Sequence, residues 1–390
     1  MSLAVLRLVS IASVVALVLY FVLKHLAVPQ DGAKRLKRNE GPAERKLVKG
    51  GTPQKIDLFT ASVCAAFPDM SVDSVRRLFP RKFEVHGHVV VIRLNDGTSV
   101  EEVRPLMRFF AQSFAPVSVD VVLLEVDGIV GELRRPSLQL LFQADTALTE
   151  YATSLRRTIH RRWSDAQKRG QPLCMTIDAM ESTLKRWTAS PTFTAHVENG
   201  VIYSFDVSRV MFSSGNTTER IHFGAVAASG EVVVDMFCGI GYFALPLAMH
   251  GNVAEIHALE KNPDSIDFVK LNAVLNRVGH LIHPVCGDNR EVGEELVGKC
   301  DRVLMGYIPT CKSFLPRAAS FLKRNEAGRN SGIVHYHFLA EKLCAAQEAL
   351  RDVQDELGKE VAASVRITDL RCVKSYAPKR FHFVADLFFE

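Results

Sequence analysis

The sequence predicts an α/β protein: a doubly wound, mostly parallel sheet, joined to a smaller N-terminal α+β domain and preceded by an N-terminal hydrophobic helix. Strand and helix patterns alternate after Thr194, which is typical of a doubly wound sheet. The last two expected strands, 363–370 and 380–388, lie close together after a helix expected near 340–358, so they should pair antiparallel. Ahead of both domains, residues 8–23 form an uncharged apolar run.

The strands of the main sheet are predicted from buried apolar runs with turn residues at their ends. They are expected at 231–236, 254–259, 281–286, 301–305, 332–337, 363–370 and 380–388. A sheet with this number of strands that ends in an antiparallel pair is the architecture of class I methyltransferases, a Rossmann-like fold. We therefore expect residues 191–390 to form one catalytic domain of that kind.

A small α+β domain, which would bind substrate or tRNA, is expected over residues 55–142. The pattern of apolar residues there switches between the periods of strands and helices. Its expected elements are a strand pair or long strand at 83–94, a helix at 99–114, and two strands within 119–135 that turn at Asp127-Gly128.

A helical insertion is expected at 143–190, where a polar helix through 146–170 carries many basic side chains. Charge runs of this kind are usually a solvated helix face. The alternative is a patch that binds nucleic-acid phosphates, and both interpretations stay open. The residues that would bind phosphate are Arg156, Arg157, Arg161 and Arg162.

Residues 1–28 are predicted to form a transmembrane anchor. The apolar run approaches the ~20 residues that span a bilayer, and it can extend to about Val28. The linker that follows, 29–54, is basic, and positive charge marks the cytosolic side of a membrane. A cleaved signal peptide fits less well because the stronger positive charge follows the run, and a mitochondrial presequence would be amphipathic.

The remainder of the chain should then be cytosolic, held at the endoplasmic reticulum or the outer mitochondrial membrane, with import into mitochondria as the alternative. The 8 cysteines form no Cys-x-x-Cys pair, which predicts free thiols in a reducing compartment and disfavours a disulfide framework or a cysteine zinc site. The net charge of +5 and the pI of about 8.7 are compatible with a nucleic-acid partner.

Three successive predicted strands end in an acidic residue: Asp235, Glu260 and Asp288. Gly239 and Gly241 follow the first, where a helix opens, so the backbone can approach a ligand closely. Glu260 is spaced to hold a ribose diol. These acids predict a nucleotide-like cofactor, because a sheet that binds no ligand has no need of an acid at each strand end.

The loop 235–241, Asp-x-Phe-x-Gly-x-Gly, resembles the S-adenosylmethionine loop of methyltransferases. An NAD site would normally show a third glycine or alanine at fixed spacing, a place that Ala244 could barely fill. The resemblance implies that Asp235 orders the loop, that Glu260 binds the ribose hydroxyls, and that Asp288-Asn289 reads the adenine edge.

Three longer segments carry a family resemblance: HVENGVIYSFDVSRVMFSSGNTTER (196–220), GIVHYHF (332–338) and KSYAPKRFHFVADL (374–387). They resemble the enzymes that modify position 37 of tRNA, which comprise guanine N1-methyltransferases and wybutosine-synthesizing aminocarboxypropyltransferases. The resemblance covers roughly 83–142 and 191–390. The cofactor-binding residues that it implies, with the loop above, are Ser213, Arg220, Asp235, Phe237, Gly239, Gly241, Glu260, Asn262, Asp288, Asn289 and Gly306.

The end of the fourth strand separates the two branches. Methyltransferases have Asn-Leu-Pro there, whereas this chain has Gly306-Tyr307-Ile308-Pro309, similar to the aminocarboxypropyl branch. The run 212–216, Phe-Ser-Ser-Gly-Asn, resembles the same branch. This implies transfer of the 3-amino-3-carboxypropyl group from S-adenosylmethionine to carbon-7 of 4-demethylwyosine in tRNA(Phe). Gly306 would leave room for the base, and the residues expected to contact the substrate are Tyr307, Ile308, Pro309 and Asn216.

Glu219 is the candidate base for the ring proton, because the family resemblance implies a functional acid at this position. A helix start explains it equally well, with Ser213, Ser214 or Asn216 as N-cap and Glu219 in the first turn. Arg220 would pair with the carboxylate of the cofactor. The electron-rich acceptor carbon supplies its own nucleophilicity, so orientation and proximity should suffice for the rest.

Two alternatives remain: a tRNA (guanine-37-N1)-methyltransferase, and an inactive membrane-anchored tRNA-binding protein. No metal is expected, because His335 and His337 have no third ligand at a recognisable spacing. The family runs almost directly from the strand near Phe142 to the motif after Thr194, so the insertion gains no role from the resemblance.

Overall fold

A computed structural model of the chain describes residues 54–144, 148–212, 214–226 and 228–390. The predicted anchor, almost all of the basic linker and Ser213 lie outside the described residues. Across the described ranges, no helix is both long and apolar enough to cross a membrane. The chain divides into two units: the smaller one runs to Gly128 and includes Leu138–Leu148, and the larger one holds Ile129–Ser137 and Thr149–Glu390.

The smaller unit combines short helices with a mixed sheet of order β1-β2-β3-β4. Its strands are β1 (Lys82–His86), β2 (Val89–Arg93), β3 (Val121–Val130) and β4 (Arg135–Gln143), the last two extending beyond the unit. Its helices are α1 (Lys55–Ala66), α2 (Val72–Leu78), α3 (Val100–Val103) and α4 (Met107–Gln112), with a 3-10 turn at Arg104–Leu106. Phe59, Phe79 and Phe110 pack edge to face at the centre of its core.

The predicted turn at Asp127-Gly128 is wrong. Asp-Gly is a strong hairpin signal, but β3 continues through it, and Gly128 has a positive φ inside the strand. The chain reverses at 131–134 instead, where Gly131 (φ +70°) and Arg134 (φ +50°) both take the left-handed conformation.

The larger unit contains the predicted doubly wound sheet. Its strands are β5 (Phe193–Glu198), β6 (Val201–Asp206), β7 (Val232–Asp235), β8 (Glu255–Glu260), β9 (Ile282–Cys286), β10 (Arg302–Met305), β11 (Lys323–Arg324), β12 (Asn330–Ala340), β13 (Val365–Ala377) and β14 (Arg380–Phe389). The main sheet has the order β13-β14-β12-β10-β7-β8-β9, with β11 paired to β12. β14 runs antiparallel to β13, as expected, and also to β12, whereas β7, β8, β9, β10 and β12 are parallel.

Helices and short 3-10 turns connect these strands. They are α5 (Leu148–Lys168), α6 (Ile177–Trp187), α7 (Thr217–Phe223), α8 (Ala244–His250), α9 (Pro263–Leu275), α10 (Leu315–Phe321) and α11 (Ala345–Ala363, broken at Gly358), with 3-10 turns at Ser214–Asn216, Glu294–Leu296 and Lys312–Phe314. All four residues of β10 are buried, as they must be in the middle of a sheet covered on both faces.

The two helices of the insertion, α5 and α6, pack against α9 and β5 within the larger unit. The Trp187 ring lies 4.5 Å from that of Phe268 on α9, and its Nε1 donates to Asp267 at 3.1 Å. At the other end, the Tyr151 hydroxyl of α5 donates to the carbonyl of Ala195 on β5. The insertion is therefore fixed to the helix that follows β8.

Asp264, in the first turn of α9, ties several segments together. Its buried carboxylate accepts from Arg135 at the β3–β4 turn (3.4 Å), Arg186 of α6 (2.6 Å) and Arg209 after β6 (3.0 Å). One negative charge therefore anchors three segments that are far apart in the sequence.

Candidate active site

The loop after β7 is built around a buried carboxylate. Asp235 is 0% exposed, and its Oδ1 accepts from the backbone N–H of Phe237 at 3.2 Å. Burial raises the pKa of Asp235 to about 7, and the nearby charge of Glu260 acts in the same direction. The second oxygen, Oδ2, has no hydrogen-bond partner among the described residues.

The glycines of this loop are required by its geometry. Gly239 and Gly241 have φ of +55° and +93°. A β-carbon at Gly239 would lie 2.6 Å from the Tyr242 ring, and one at Gly241 would lie 2.7 Å from Leu245 Cγ. Any other residue would therefore strain the backbone and displace a packed neighbour.

Glu260, at the end of β8, is tied to the same loop. Its carboxylate accepts from the backbone N–H of Gly239 at 2.9 Å and from that of Asn262 at 2.7 Å. Burial raises its pKa, against these hydrogen bonds. Asn262 is the N-cap of α9: its Oδ1 accepts from the Asp264 N–H at 3.0 Å, so its side chain is engaged in capping the helix.

At the end of β9, Asp288 forms ion pairs and the Asn289 side chain is buried. The Asp288 carboxylate accepts from Arg290 Nε at 2.9 Å and from Lys261 Nζ at 3.3 Å, and the Arg290 hydrogen bond lowers its pKa although burial opposes the shift. Asn289 is buried and donates from Nδ2 to the Met236 carbonyl at 2.8 Å. Its Oδ1 has no partner among the residues that the structure describes.

Two buried polar atoms, Asp235 Oδ2 after β7 and Asn289 Oδ1 after β9, therefore have no hydrogen-bond partner among the described residues. Leaving a buried polar atom unpaired costs about 1–3 kcal/mol, so such atoms indicate a bound group that supplies a partner. S-adenosylmethionine carries amino groups that donate and ribose hydroxyls that both donate and accept, so the residues present fit that cofactor.

Aromatic rings lie at the end of β10, and the side chain of Arg134 links this strand end to the β3–β4 turn. The Tyr307 ring stacks on Phe237 at 5.2 Å between centroids. Arg134 lies 5.4 Å above the Tyr307 ring and donates to the Ile308 carbonyl at 2.6 Å. Pro309, the last residue of the motif, is exposed. The role of Arg134 could not be predicted, because nothing in the sequence distinguishes it from the other arginines.

Gly306 leaves less room than expected. A β-carbon at this position would lie 2.6 Å from Cε2 of Phe243. The space beside the glycine is thus filled by the Phe243 ring, and the glycine permits the close approach of that ring to the strand end.

The residues around α7 have partners that spacing alone does not reveal. Glu219 is 2% exposed and its Oε1 accepts from Arg371 Nε at 3.2 Å. Arg220 is 1% exposed and forms a bidentate ion pair with Glu198 at 2.6 and 2.8 Å. Its charge is thus already matched by a protein carboxylate. Asn216 is the N-cap residue but makes no side-chain cap bond, and its buried Oδ1 has no partner among the described residues.

The four arginines proposed to bind phosphate differ in exposure. Arg157 and Arg161 are exposed, whereas Arg156 pairs with Glu181 of α6 at 2.7 Å. Arg162 is 5% exposed, and burial lowers its pKa to about 10. Arg162 therefore does not lie on the exposed face that the prediction supposed, because it points to the packed side of the helix.

The histidines of β12 are engaged with protein groups. His335 Nδ1 is 2.7 Å from Asp386 Oδ1, and His337 Nδ1 is 3.0 Å from His382 Nε2. Ligand atoms of His222, Asp369 and Asp386 lie within 4.8 Å of one another. The Arg371 guanidinium donates to both of those carboxylates, so a cation there would meet a positive charge.

The sheet order, the glycine loop after β7 and the acids at three strand ends define a Rossmann-like transferase of the class I methyltransferase type. Residues 194–365 match the model described as the TRM5/TYW2 methyltransferase domain. The tRNA(Phe) (4-demethylwyosine(37)-C(7)) aminocarboxypropyltransferase of Pyrococcus horikoshii is 30% identical over 314 residues, 80% of this chain and 90% of that protein. The chain belongs to the TRM5/TYW2 family, which confirms the resemblance carried by its motifs.

Two further comparisons agree. The protein of the same name from Methanocaldococcus jannaschii is 37% identical over 202 residues, which is 51% of this chain and 76% of that protein. The crystal structure of P. horikoshii TYW2 in complex with MeSAdo has a TM-score of 0.59 at 26% identity, covering 84% of this chain and 98% of that one.

Proposed function

We propose that this chain transfers the 3-amino-3-carboxypropyl group from S-adenosylmethionine to carbon-7 of 4-demethylwyosine at position 37 of tRNA(Phe), a step of wybutosine biosynthesis. The observation that carries the proposal is the end of β10, where Gly306-Tyr307-Ile308-Pro309 stands in place of Asn-Leu-Pro. The name of the P. horikoshii relative, of which the chain covers 90%, supports the same activity.

The residues around the β7 loop are proposed to bind the cofactor. When bound, S-adenosylmethionine supplies an activated aminocarboxypropyl carbon, with methylthioadenosine as the leaving group. Glu260 is oriented by the Gly239 N–H and retains lone pairs for ribose hydroxyls. Asn289 Oδ1 would accept a hydrogen bond from an amino group, Asp235 Oδ2 would pair with a polar group of the cofactor, and the stacked pair of Tyr307 and Phe237 would form an apolar wall.

The proposed reaction needs no protein nucleophile. The acceptor carbon forms a carbon–carbon bond while the carbon–sulfur bond breaks, with its electron pair left on sulfur. The ring proton displaced from the acceptor goes to Glu219, the proposed base. Holding the two carbons in line is then the main task of the site.

The exposed arginines of α5, Arg157 and Arg161, are proposed to contact the tRNA backbone. Neither side chain makes an ion pair with another described residue, and α5 is fixed to the domain that carries the cofactor loop. Residues 8–28 are proposed to anchor the protein in a membrane with the catalytic part in the cytosol, on the strength of the apolar run and the basic segment behind it.

A label-transfer assay tests the activity. The full-length chain is incubated with tRNA(Phe) carrying 4-demethylwyosine and with S-adenosylmethionine labelled either at the carboxyl carbon or at the methyl carbon. We expect the carboxyl label to enter the tRNA and the methyl label to stay out. Methyl label in tRNA with unmodified guanosine-37 would instead establish the methyltransferase alternative, and no transfer of either label would support an inactive binding protein.

A further inference from the structure

A continuous chain of charged and polar groups runs through the sheet to Glu219. It begins at Glu231, which accepts from Arg302 Nε at 2.6 Å, and Arg302 Nη1 lies 2.6 Å from His335 Nε2. His335 Nδ1 lies 2.7 Å from Asp386 Oδ1. Beyond this point Asp386 accepts from Arg371, which contacts Glu219.

The direction of each hydrogen bond in this chain can be assigned. A guanidinium only donates, so His335 Nε2 must accept from Arg302 and cannot carry a proton. The imidazole is then neutral, with its hydrogen on Nδ1, and it donates to Asp386. Burial lowers the pKa of His335, which agrees with the neutral form. Asp386 is thereby fixed as an ionised acceptor that faces Arg371.

Arg371 is held in one orientation by two carboxylates. Its Nη2 donates to Asp386 at 2.8 Å and its Nη1 donates to Asp369 at 2.6 Å. The Nε side of the guanidinium faces Glu219: Nε lies 3.2 Å from Oε1 and 3.4 Å from Oε2, and Nη2 also lies 3.4 Å from Oε2. The longest of these contacts is the one to Glu219, so the two aspartates define where the guanidinium sits.

The contact is not what helix capping would produce. Glu219 is the third residue of α7, and in a capping box its carboxylate would accept from the N–H of the N-cap residue Asn216. The carboxylate instead contacts Arg371, a residue 152 positions away in the sequence. A carboxylate that is 2% exposed is costly to bury without a partner, and Arg371 supplies a paired cation.

We infer that Arg371 is a positioning residue of the transfer reaction: held by Asp369 and Asp386, it keeps the Glu219 carboxylate aimed at the proton that the acceptor loses. The inference rests on the proposed function, in which Glu219 is the base. Arg371 itself touches no reacting atom, so it acts through Glu219 alone.

A double-mutant cycle tests this dependence. Glu219→Gln, Arg371→Ala and the double variant are compared in the full-length chain, using whichever label of S-adenosylmethionine the wild type transfers. We expect Glu219→Gln to lower kcat by about 100-fold or more. Arg371→Ala should lower kcat by roughly 10-fold or more with little change in KM for tRNA. The double variant should be no slower than Glu219→Gln, since the arginine has nothing left to position.

Chemical rescue separates positioning from a structural role. Guanidinium ion at millimolar concentration should restore part of kcat in Arg371→Ala and none in the double variant. Arg366→Ala is the matched control, because Arg366 lies on the same strand and pairs with Glu390 instead. It should leave kcat unchanged. If Arg371→Ala fails to fold, two variants replace it in the same cycle: Arg371→Lys, which keeps the positive charge but loses the fork, and Asp369→Asn, which removes one of the carboxylates that hold Arg371.

If the kcat losses of the two single variants multiply in the double variant, the inference is overturned. It is also overturned if Arg371→Ala changes KM for tRNA and leaves kcat as it was. The label that the wild type transfers is read in the same experiment, so a failure of the proposed function is seen in the wild-type reaction. A failure of the role of Arg371 is seen only in the ratios among the variants.

Discussion

The protonation of Asp235, in the loop after β7, makes the stability of the protein depend on pH. Its folded-state pKa of about 7 lies above the value of about 3.9 expected in an unfolded chain. The folded protein therefore retains a proton that the unfolded chain has lost at intermediate pH. The contribution of Asp235 to the free energy of unfolding is fully present below about pH 4, and it is lost as the pH rises through about 7.

We predict that Asp235→Asn removes this dependence, because the amide cannot ionise. Between pH 5 and pH 8 the wild type should lose roughly 3 kcal/mol of unfolding free energy relative to the variant. Urea unfolding of both proteins at several pH values measures the difference, and Glu260, whose pKa is also raised by burial, cancels in the comparison. Parallel curves would mean that Asp235 is ionised in the folded protein.

Residues that directly follow a strand could be placed together from the sequence, whereas other ion pairs could not. Asp235, Glu260 and the two glycines come at the ends of two neighbouring parallel strands, so they were expected at one edge of the sheet, and Glu260 accepts from the Gly239 N–H there. Arg220 lies on α7, and its partner Glu198 ends β5, 22 residues earlier. No periodicity shows that two opposite charges in such different elements meet.

At the scale of elements, the strands of the main sheet were predicted and one turn was misplaced. Six of the seven strands expected in the main sheet lie within about three residues of their expected bounds, whereas β13 continues to Ala377, seven residues beyond its expected end. The β3–β4 turn was misplaced because two glycines, Gly128 and Gly131, can both take a positive φ, and the sequence does not say which one reverses the chain.

The insertion helix α5 gives a prediction that depends on its exposed face. Replacing Arg157 and Arg161 by glutamine should weaken tRNA binding and reduce the slope of log affinity against log salt by roughly 1.5, because two phosphate contacts are lost. The slope is measured by titrating tRNA at a series of salt concentrations. Arg156→Gln is the matched control: Arg156 already pairs with Glu181, so the slope should change little. Equal slopes for all three proteins would leave α5 as a solvated face.

At the scale of the whole molecule, the proposed anchor and the catalytic part can be tested separately. Carbonate extraction should leave the full-length protein in the membrane pellet, whereas a version that starts at residue 30 should be soluble. Positive charge behind the apolar run is the physical reason to expect the catalytic part on the cytosolic side. Protease added to intact organelles should then digest it, and its protection in the absence of detergent would contradict this topology and favour import into mitochondria.

The ion pairs of Asp264 also limit how this enzyme could be shortened. Residues 143–190 cannot be excised as a cassette, since their removal would strip Arg186 from Asp264 and Trp187 from both Asp267 and the Phe268 ring. Trp187 would no longer cover the Phe268 ring, so this aromatic surface of α9 would be exposed to solvent. The buried carboxylate of Asp264 would lose Arg186, its closest cation. A minimal version of the enzyme would therefore need a redesigned α9, with a polar residue at 268 and with Asp264 kept as the partner of Arg135 and Arg209.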